Sequence, residues 1–198
     1  MAPDDHASVP AGTPALVITI SDGVASGSRQ DDAGLALADW LGARAFGVDR
    51  DAVPDERPAI ERAITDGAAA HVLVVTTGGT GLTPRDVTPQ ATLAVIDYEV
   101  PGLAEAIRAA GRARTPMADL SRGVVGVRDR TLIVNVPGSP RAALESIAAL
   151  EPTLVHALET LRGPFDHGLA GAGTAVRPDL PNPSVTPDAH GHGGEIRR

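Results

Sequence analysis

The chain contains neither cysteine nor lysine; all 17 of its basic residues are arginine. The first absence excludes disulfides, thiolate metal sites and thiol nucleophiles. The second removes the lysine of a Walker-type phosphate loop and any Schiff-base lysine. Any bound phosphate must therefore be held by arginine, by main-chain amides or through a metal. Aromatic residues make up only 2% of the chain, so its core has to be built from Ala, Val, Leu and Ile. No apolar run approaches the ~20 residues of a membrane span. Residues 1–12 lack the basic start and apolar stretch of a secretory signal, so a cytoplasmic protein with no membrane partner is expected. The net charge of −8 argues against a nucleic-acid partner, because phosphate neutralisation along a strand needs clustered cations.

With 198 residues and 42% apolar content, the chain supports one domain with a sizeable core. Residues 1–13 read as a flexible N-terminus and 14–163 as the domain. Residues 164–198 are dominated by Gly, Pro, Asp and His and read as a mostly disordered tail. Deleting 170–198 is expected to leave folding and activity unchanged.

Within the domain, strands and helices alternate. Residues 15–20 form a first strand, 31–45 a helix, 45–53 a weak edge strand, 57–70 a helix, and 72–76 a buried strand. Thr88-Pro89, Thr115-Pro116 and Ser139-Pro140 each place a capping residue before a proline suited to a first helical turn. The helix 101–110 is expected to end at Gly111. Residues 124–134 read as a hairpin, and 140–162 as one kinked helix or two, broken near Pro152. The fold class expected is a three-layer α/β/α domain with a mostly parallel central sheet and one antiparallel hairpin.

The most informative segment is 76–89, Thr-Thr-Gly-Gly-Thr-Gly-Leu-Thr-Pro-Arg-Asp-Val-Thr-Pro. A buried strand feeds a glycine turn, which exposes backbone amides where open α/β sheets bind ligands. The turn then delivers Arg85 and Asp86. Ser21-Asp22-Gly23 and Pro137-Gly138-Ser139-Pro140 follow two other strands, and Val53-Pro54-Asp55 follows the edge strand. In a parallel sheet all four loops fall on one edge. Hard carboxylates around an amide cradle suit Mg²⁺ and a phosphorylated substrate. Phosphoryl or nucleotidyl transfer needs positioning and charge neutralisation more than covalent help. The loop is not the Gly-x-Gly-x-x-Gly of a dinucleotide-binding enzyme.

The two halves of 76–89, Thr-Thr-Gly-Gly-Thr-Gly and Pro-Arg-Asp-Val-Thr-Pro, with the other three motifs, resemble the Mog/MoaB family of molybdenum-cofactor biosynthesis, a module also found as the pterin-adenylating domain of gephyrin. The resemblance spans roughly residues 14–163, which makes that segment a molybdopterin- and nucleotide-binding domain. It implies a molybdopterin adenylyltransferase that uses ATP and Mg²⁺; the alternative is a non-catalytic, MoaB-like molybdopterin-binding protein. It implies Asp55 and Asp86 as the catalytic and metal-binding carboxylates. It further implies a substrate groove lined by Ser21, Asp22, Gly78, Gly79, Thr80, Gly81, Arg85, Ser121, Arg122, Pro137, Gly138, Ser139 and Pro140. A homotrimer and handover to a molybdenum-insertion protein are implied as well. One departure stands out: Asp22 is followed by glycine, where many members carry a basic or polar residue. Gly79→Val is expected to abolish molybdopterin binding with at most moderate loss of thermal stability.

Overall fold

Strand β1 (Thr13–Ile20) is branched and apolar on both faces, with Ala15, Val17 and Ile18 fully buried, as a strand covered by helices on each side must be. In the computed structural model, which describes residues 8–163, it pairs with two parallel neighbours. These are β2 (Phe46–Val53) at the sheet edge and β3 (Leu73–Thr77) toward the centre. Parallel β6 (Thr131–Val136) follows, then antiparallel β5 (Val125–Arg128) and the two-residue β4 (Tyr98–Glu99), giving the order β2-β1-β3-β6-β5-β4.

Alternation along the strands sorts the core into two layers. After the one-turn α1 (Asp22–Ala25) comes α2 (Asp32–Gly42), whose Leu37 and Leu41 pack with Val17, Leu73, Val75, Leu132 and Val134 and with Ile107 of α5 (Pro101–Arg112). Ile147 of α6 (Pro140–Ala148) and Leu154 and Leu158 of α7 (Glu151–Arg162) complete that layer. On the opposite face Leu16, Ile18, Ile20, Val74 and Ile133 pack with Ile60 and Ile64 of α3 (Arg57–Ala70) and Ala91 of α4 (Thr88–Val95). The expected three-layer fold is therefore the observed one.

Several local expectations need correction. The edge strand is full length, paired with β1 from Phe46 to Val53; its Asp49, Arg50 and Asp51 are exposed. Charge on an open edge discourages pairing with other chains, and it also hides the strand from a hydrophobic-pattern reading. The first long helix stops at Gly42, and the chain turns through Ala45 at φ 69°. Helix α5 runs past Gly111, whose missing Cβ makes room for Ala118: a Cβ there would lie 2.7 Å from that methyl. The segment after Thr115 is a short 3₁₀ turn, Pro116–Leu120. Helices α6 and α7 part at Ala149-Leu150, and Pro152 sits in the first turn of α7, where a missing N–H costs nothing. Packing begins before residue 14, since Val9 is buried and the Gly12 N–H donates to Ala45 O at 2.8 Å. The tail expected over 164–198 lies outside the described residues.

Asp31 ties the first crossover to the sheet. Its carboxylate caps α2 through Gly34 N–H (2.9 Å), accepts from the Thr19 hydroxyl (2.8 Å) and pairs with Arg50 of β2 (2.6 Å). Burial works to raise its pKa, but those hydrogen bonds and the Arg50 charge outweigh it and hold the carboxyl below its ordinary value. A depressed carboxylate stabilises above its unfolded value and loses that contribution as pH falls through the folded one. Asp31→Ala should therefore cost about 1–3 kcal/mol at neutral pH. The gap to wild type should close only below the unperturbed 3.8. Urea denaturation of both proteins across that pH range tests this.

Candidate active site

Thr19 is level with Ala52 and Thr77, and Thr77 with Val136, so the four parallel strands end together. The chain leaves β1 toward β2 on one side, while β3 is followed in the sheet by β6 on the other. Such a reversal of strand order opens a crevice at the carboxyl ends. The crevice here is an open cavity of about 510 Å³ lined by Ser21, Asp22, Gly23, Arg29, Asp55, residues 78–81, Asp86 and Gly138.

The glycine turn is held rigidly. Gly78 has φ +109° and Gly79 φ +62°, the left-handed half of backbone space in which side chains are strained. Gly78 N–H donates to Val136 O (3.1 Å), and Thr88 returns two bonds, its hydroxyl to Gly78 O (2.9 Å) and its N–H to Gly79 O (3.2 Å). Thr88 is thus a buried anchor of the loop and the first residue of α4, and the N-cap is Val87, which lacks a capping side chain. By contrast, the Thr115 and Ser139 hydroxyls do cap, accepting from Met117 N–H and Ala142 N–H at 3.3 Å each.

The carboxylates converge as the sequence suggests. Asp22 and Asp55 grip each other: Asp22 N–H donates to Asp55 Oδ2 (3.0 Å), and Asp55 N–H donates to Asp22 Oδ1 (3.1 Å). This reciprocal pair joins the β1 and β2 loops. Arg85 donates to the remaining oxygen of Asp22. Asp86 accepts from Thr83 N–H at 2.8 Å. The Thr83 side chain, the amides of Thr83 and Gly81 and the Arg122 charge together overcome burial and hold the Asp86 carboxyl below its ordinary range, so it is ionised at neutral pH.

Arg122 braces the loop from beneath. Its Nε donates to Gly81 O (2.7 Å), its Nη2 to Asp86 O (2.5 Å), and its backbone N–H to Thr80 O (3.0 Å). Ser121 and Pro137 line a neighbouring pocket of about 280 Å³ that shares Thr80 and Gly81 with the first. Gly138 packs against Gly78, whereas Ser139 and Pro140 are exposed at the start of α6 and line neither pocket. Arg85 is not among the cavity-lining residues either.

Pattern reading misses four contributors. Arg29 lies in a polar loop with no motif of its own. Thr83 looks like turn filler, and Thr88 like a cap. Asn135 is buried and fully engaged: Nδ2 donates to Thr76 and Thr92 hydroxyls at 2.9 Å each, and Oδ1 accepts from Val124 N–H at 3.1 Å. Its sequence signals are a polar residue inside a mostly apolar strand and its place directly before Val136-Pro137-Gly138.

Among the described residues no three His, Asp or Glu side chains gather into an all-protein metal cage. Mg²⁺ does not require one: it takes one or two carboxylates, with water and substrate phosphate completing the shell. The donor chemistry of Asp55 and Asp86 on one cavity fits such an ion. No described helix is long and apolar enough to cross a membrane.

The chain is similar to known proteins in sequence and in fold. The family described as "Probable molybdopterin binding domain" matches residues 16–156. The molybdopterin adenylyltransferase of Escherichia coli K12 is 36% identical over 180 residues, covering 82% of this chain and 92% of its own. A protein of that name from Haemophilus influenzae is 40% identical over 141 residues, 68% of this chain and 71% of its own. The chain also matches a molybdenum cofactor biosynthesis bifunctional protein of Synechococcus elongatus at 39% identity, spanning 50% of that longer protein. Among solved structures, the molybdopterin biosynthesis enzyme MoaB of Thermus thermophilus aligns at 48% identity with a TM-score of 0.71, over 75% of this chain and 96% of that one. The Mog protein of Mycobacterium ulcerans aligns at 42% identity, also with a TM-score of 0.71, over 75% and 98%. With the family match running over residues 16–156 and relatives 36–40% identical over most of their length, the chain belongs to the molybdopterin-binding domain family of molybdenum-cofactor biosynthesis.

Proposed function

We propose that the protein is a molybdopterin adenylyltransferase that transfers AMP from ATP to molybdopterin. The observation that carries this is the placing of Asp55 and Asp86 on one amide-rich cavity at the strand switch point. The relatives that share the domain and bear that name add weight. An oxygen of the terminal phosphate of molybdopterin forms a bond to the α-phosphorus of ATP. The bond from that phosphorus to the bridging oxygen breaks, and its electron pair leaves with pyrophosphate. The nucleophile is already an anion, so no general base is needed, and the demand on the protein is positioning and charge neutralisation. Asp55 and Asp86 would hold Mg²⁺, which neutralises charge on the triphosphate. The Gly79 and Thr80 amides orient phosphate oxygens, and Arg122 keeps that loop and Asp86 in place.

The test is incubation of the purified protein with molybdopterin, ATP and Mg²⁺, followed by chromatography for adenylyl-molybdopterin. Product should form with the metal, fall to background with EDTA, and return when Mg²⁺ is restored in excess. Binding of molybdopterin without product would make the chain a non-catalytic binder. The family resemblance also implies a homotrimer, cytoplasmic residence and handover to a molybdenum-insertion protein. Sedimentation velocity tests the first of these.

A further inference from the structure

The cavity presents three carboxylates, Asp22, Asp55 and Asp86, to a ligand whose phosphates are themselves anionic. A protein cation that works beside the metal on those phosphates would, with no lysine in the chain, be an arginine. Two of the three nearby arginines are committed. Arg85 is ion-paired with Asp22, and Arg122 gives Nε and Nη2 to loop carbonyls. Arg29 lines the cavity and, among the described residues, pairs with no carboxylate; its guanidinium makes one hydrogen bond, from Nη2 to Ser21 Oγ at 2.6 Å. A guanidinium carries five N–H donors, so most of its capacity stays open while its direction is fixed.

The surrounding loop is shaped to deliver that group. Arg29 N–H donates to Gly23 O (2.9 Å) and Ser28 Oγ to the same carbonyl (3.1 Å), closing residues 23–29 onto themselves. Gly23 supplies the room. A Cβ at that position would stand 3.2 Å from Arg29 Cβ and 3.7 Å from its Nε. Ser21, which is 5% exposed, holds the guanidinium from below.

We infer that Arg29 is the phosphate-receiving cation of this cavity, aimed by Ser21 and accommodated by Gly23. The inference rests on the adenylyltransferase reading for the identity of the ligand. The phosphate is that of ATP or the terminal phosphate of molybdopterin, and the geometry of the loop serves either.

The experiment measures dissociation constants for ATP, molybdopterin and inorganic pyrophosphate separately, by titration calorimetry with Mg²⁺ present. Removing a charge-assisted, forked hydrogen-bond donor from a phosphate weakens binding by about tenfold or more. Arg29→Ala should therefore bind pyrophosphate and at least one substrate about tenfold more weakly, and the affected substrate identifies the phosphate. Arg29→Lys should recover part of the affinity, since it keeps a point charge without the fork. Gly23→Ala, which crowds Arg29 and leaves its charge, should weaken binding about threefold, and it reads out the same interaction if Arg29→Ala folds poorly. Affinities within twofold of wild type for all three ligands in folded Arg29→Ala, or in Gly23→Ala where Arg29→Ala does not fold, would overturn the assignment alone. Wild-type protein that binds none of them would overturn it together with the adenylyltransferase reading. Arg29-dependent pyrophosphate binding without adenylation would leave it standing while that reading fails.

Discussion

Asp55→Asn and Asp86→Asn should each fold normally and lose about 10²-fold or more in adenylation rate. The structure explains why folding survives. Asp55 contributes Oδ2 as acceptor for Asp22 N–H, and Asp86 contributes Oδ2 as acceptor for Thr83 N–H. An asparagine oxygen can accept both bonds, so the β1–β2 clasp and the turn after Gly81 keep their connections. What disappears is the negative charge on the cavity wall. One preorganised electrostatic contact made in the transition state is worth on the order of 10²–10³ in rate. The loss should fall mainly on kcat, with KM for molybdopterin changed less, because the charge acts on the reacting phosphates and not on the pterin. Steady-state kinetics with melting curves of the same preparations check this. Near-normal turnover in either folded variant would remove that carboxylate from the chemistry.

Much of this site is legible in the sequence because its parts lie at the ends of strands. Branched apolar runs identify β1 and β3, glycine and proline mark where they stop, and a parallel sheet places those stops on one edge. Asp22, Asp55 and Asp86 follow from that logic. What stays hidden is contact made across the chain. Nothing local in Ser-Gly-Ser-Arg announces that Arg29 returns to Ser21. Thr88 carries the signature of a helix cap, yet its hydroxyl serves the glycine loop ten residues earlier. Ser121-Arg122 reads as a substrate pair through resemblance, while the hydrogen bonds of Arg122 run to the loop backbone. The edge strand β2 looks weak because its partner lies on one side only, and charge on the open side breaks the apolar pattern.

Gly79→Val should lower the melting temperature substantially as well as abolish ligand binding, a larger structural effect than the sequence implies. A Cβ at Gly79 would fall 2.3 Å from Thr88 Oγ1, and the residue sits at φ +62°. The left-handed conformation costs a side-chain-bearing residue about 1–2 kcal/mol, and a β-branched one more. Displacing the Thr88 hydroxyl also breaks its bond to Gly78 O inside a buried site, for about another 1–3 kcal/mol. A total near 2–5 kcal/mol corresponds to a drop of roughly 5–15 °C for a domain of this size. Gly81→Ala separates the two effects. Gly81 has no positive φ, and a Cβ there would lie 3.0 Å from Asp86 Oδ2, so the strain falls on one carboxylate at the cavity wall. That variant should melt within about 3 °C of wild type, as a single tight approach costing under about 1 kcal/mol requires. It should nevertheless bind phosphate ligands several-fold more weakly and turn over more slowly. Melting curves and ATP titrations of the two variants decide the matter. If Gly79→Val melts like wild type, the loop is not anchored through Thr88. If Gly81→Ala binds and turns over like wild type, the loop near Asp86 does not touch the ligand.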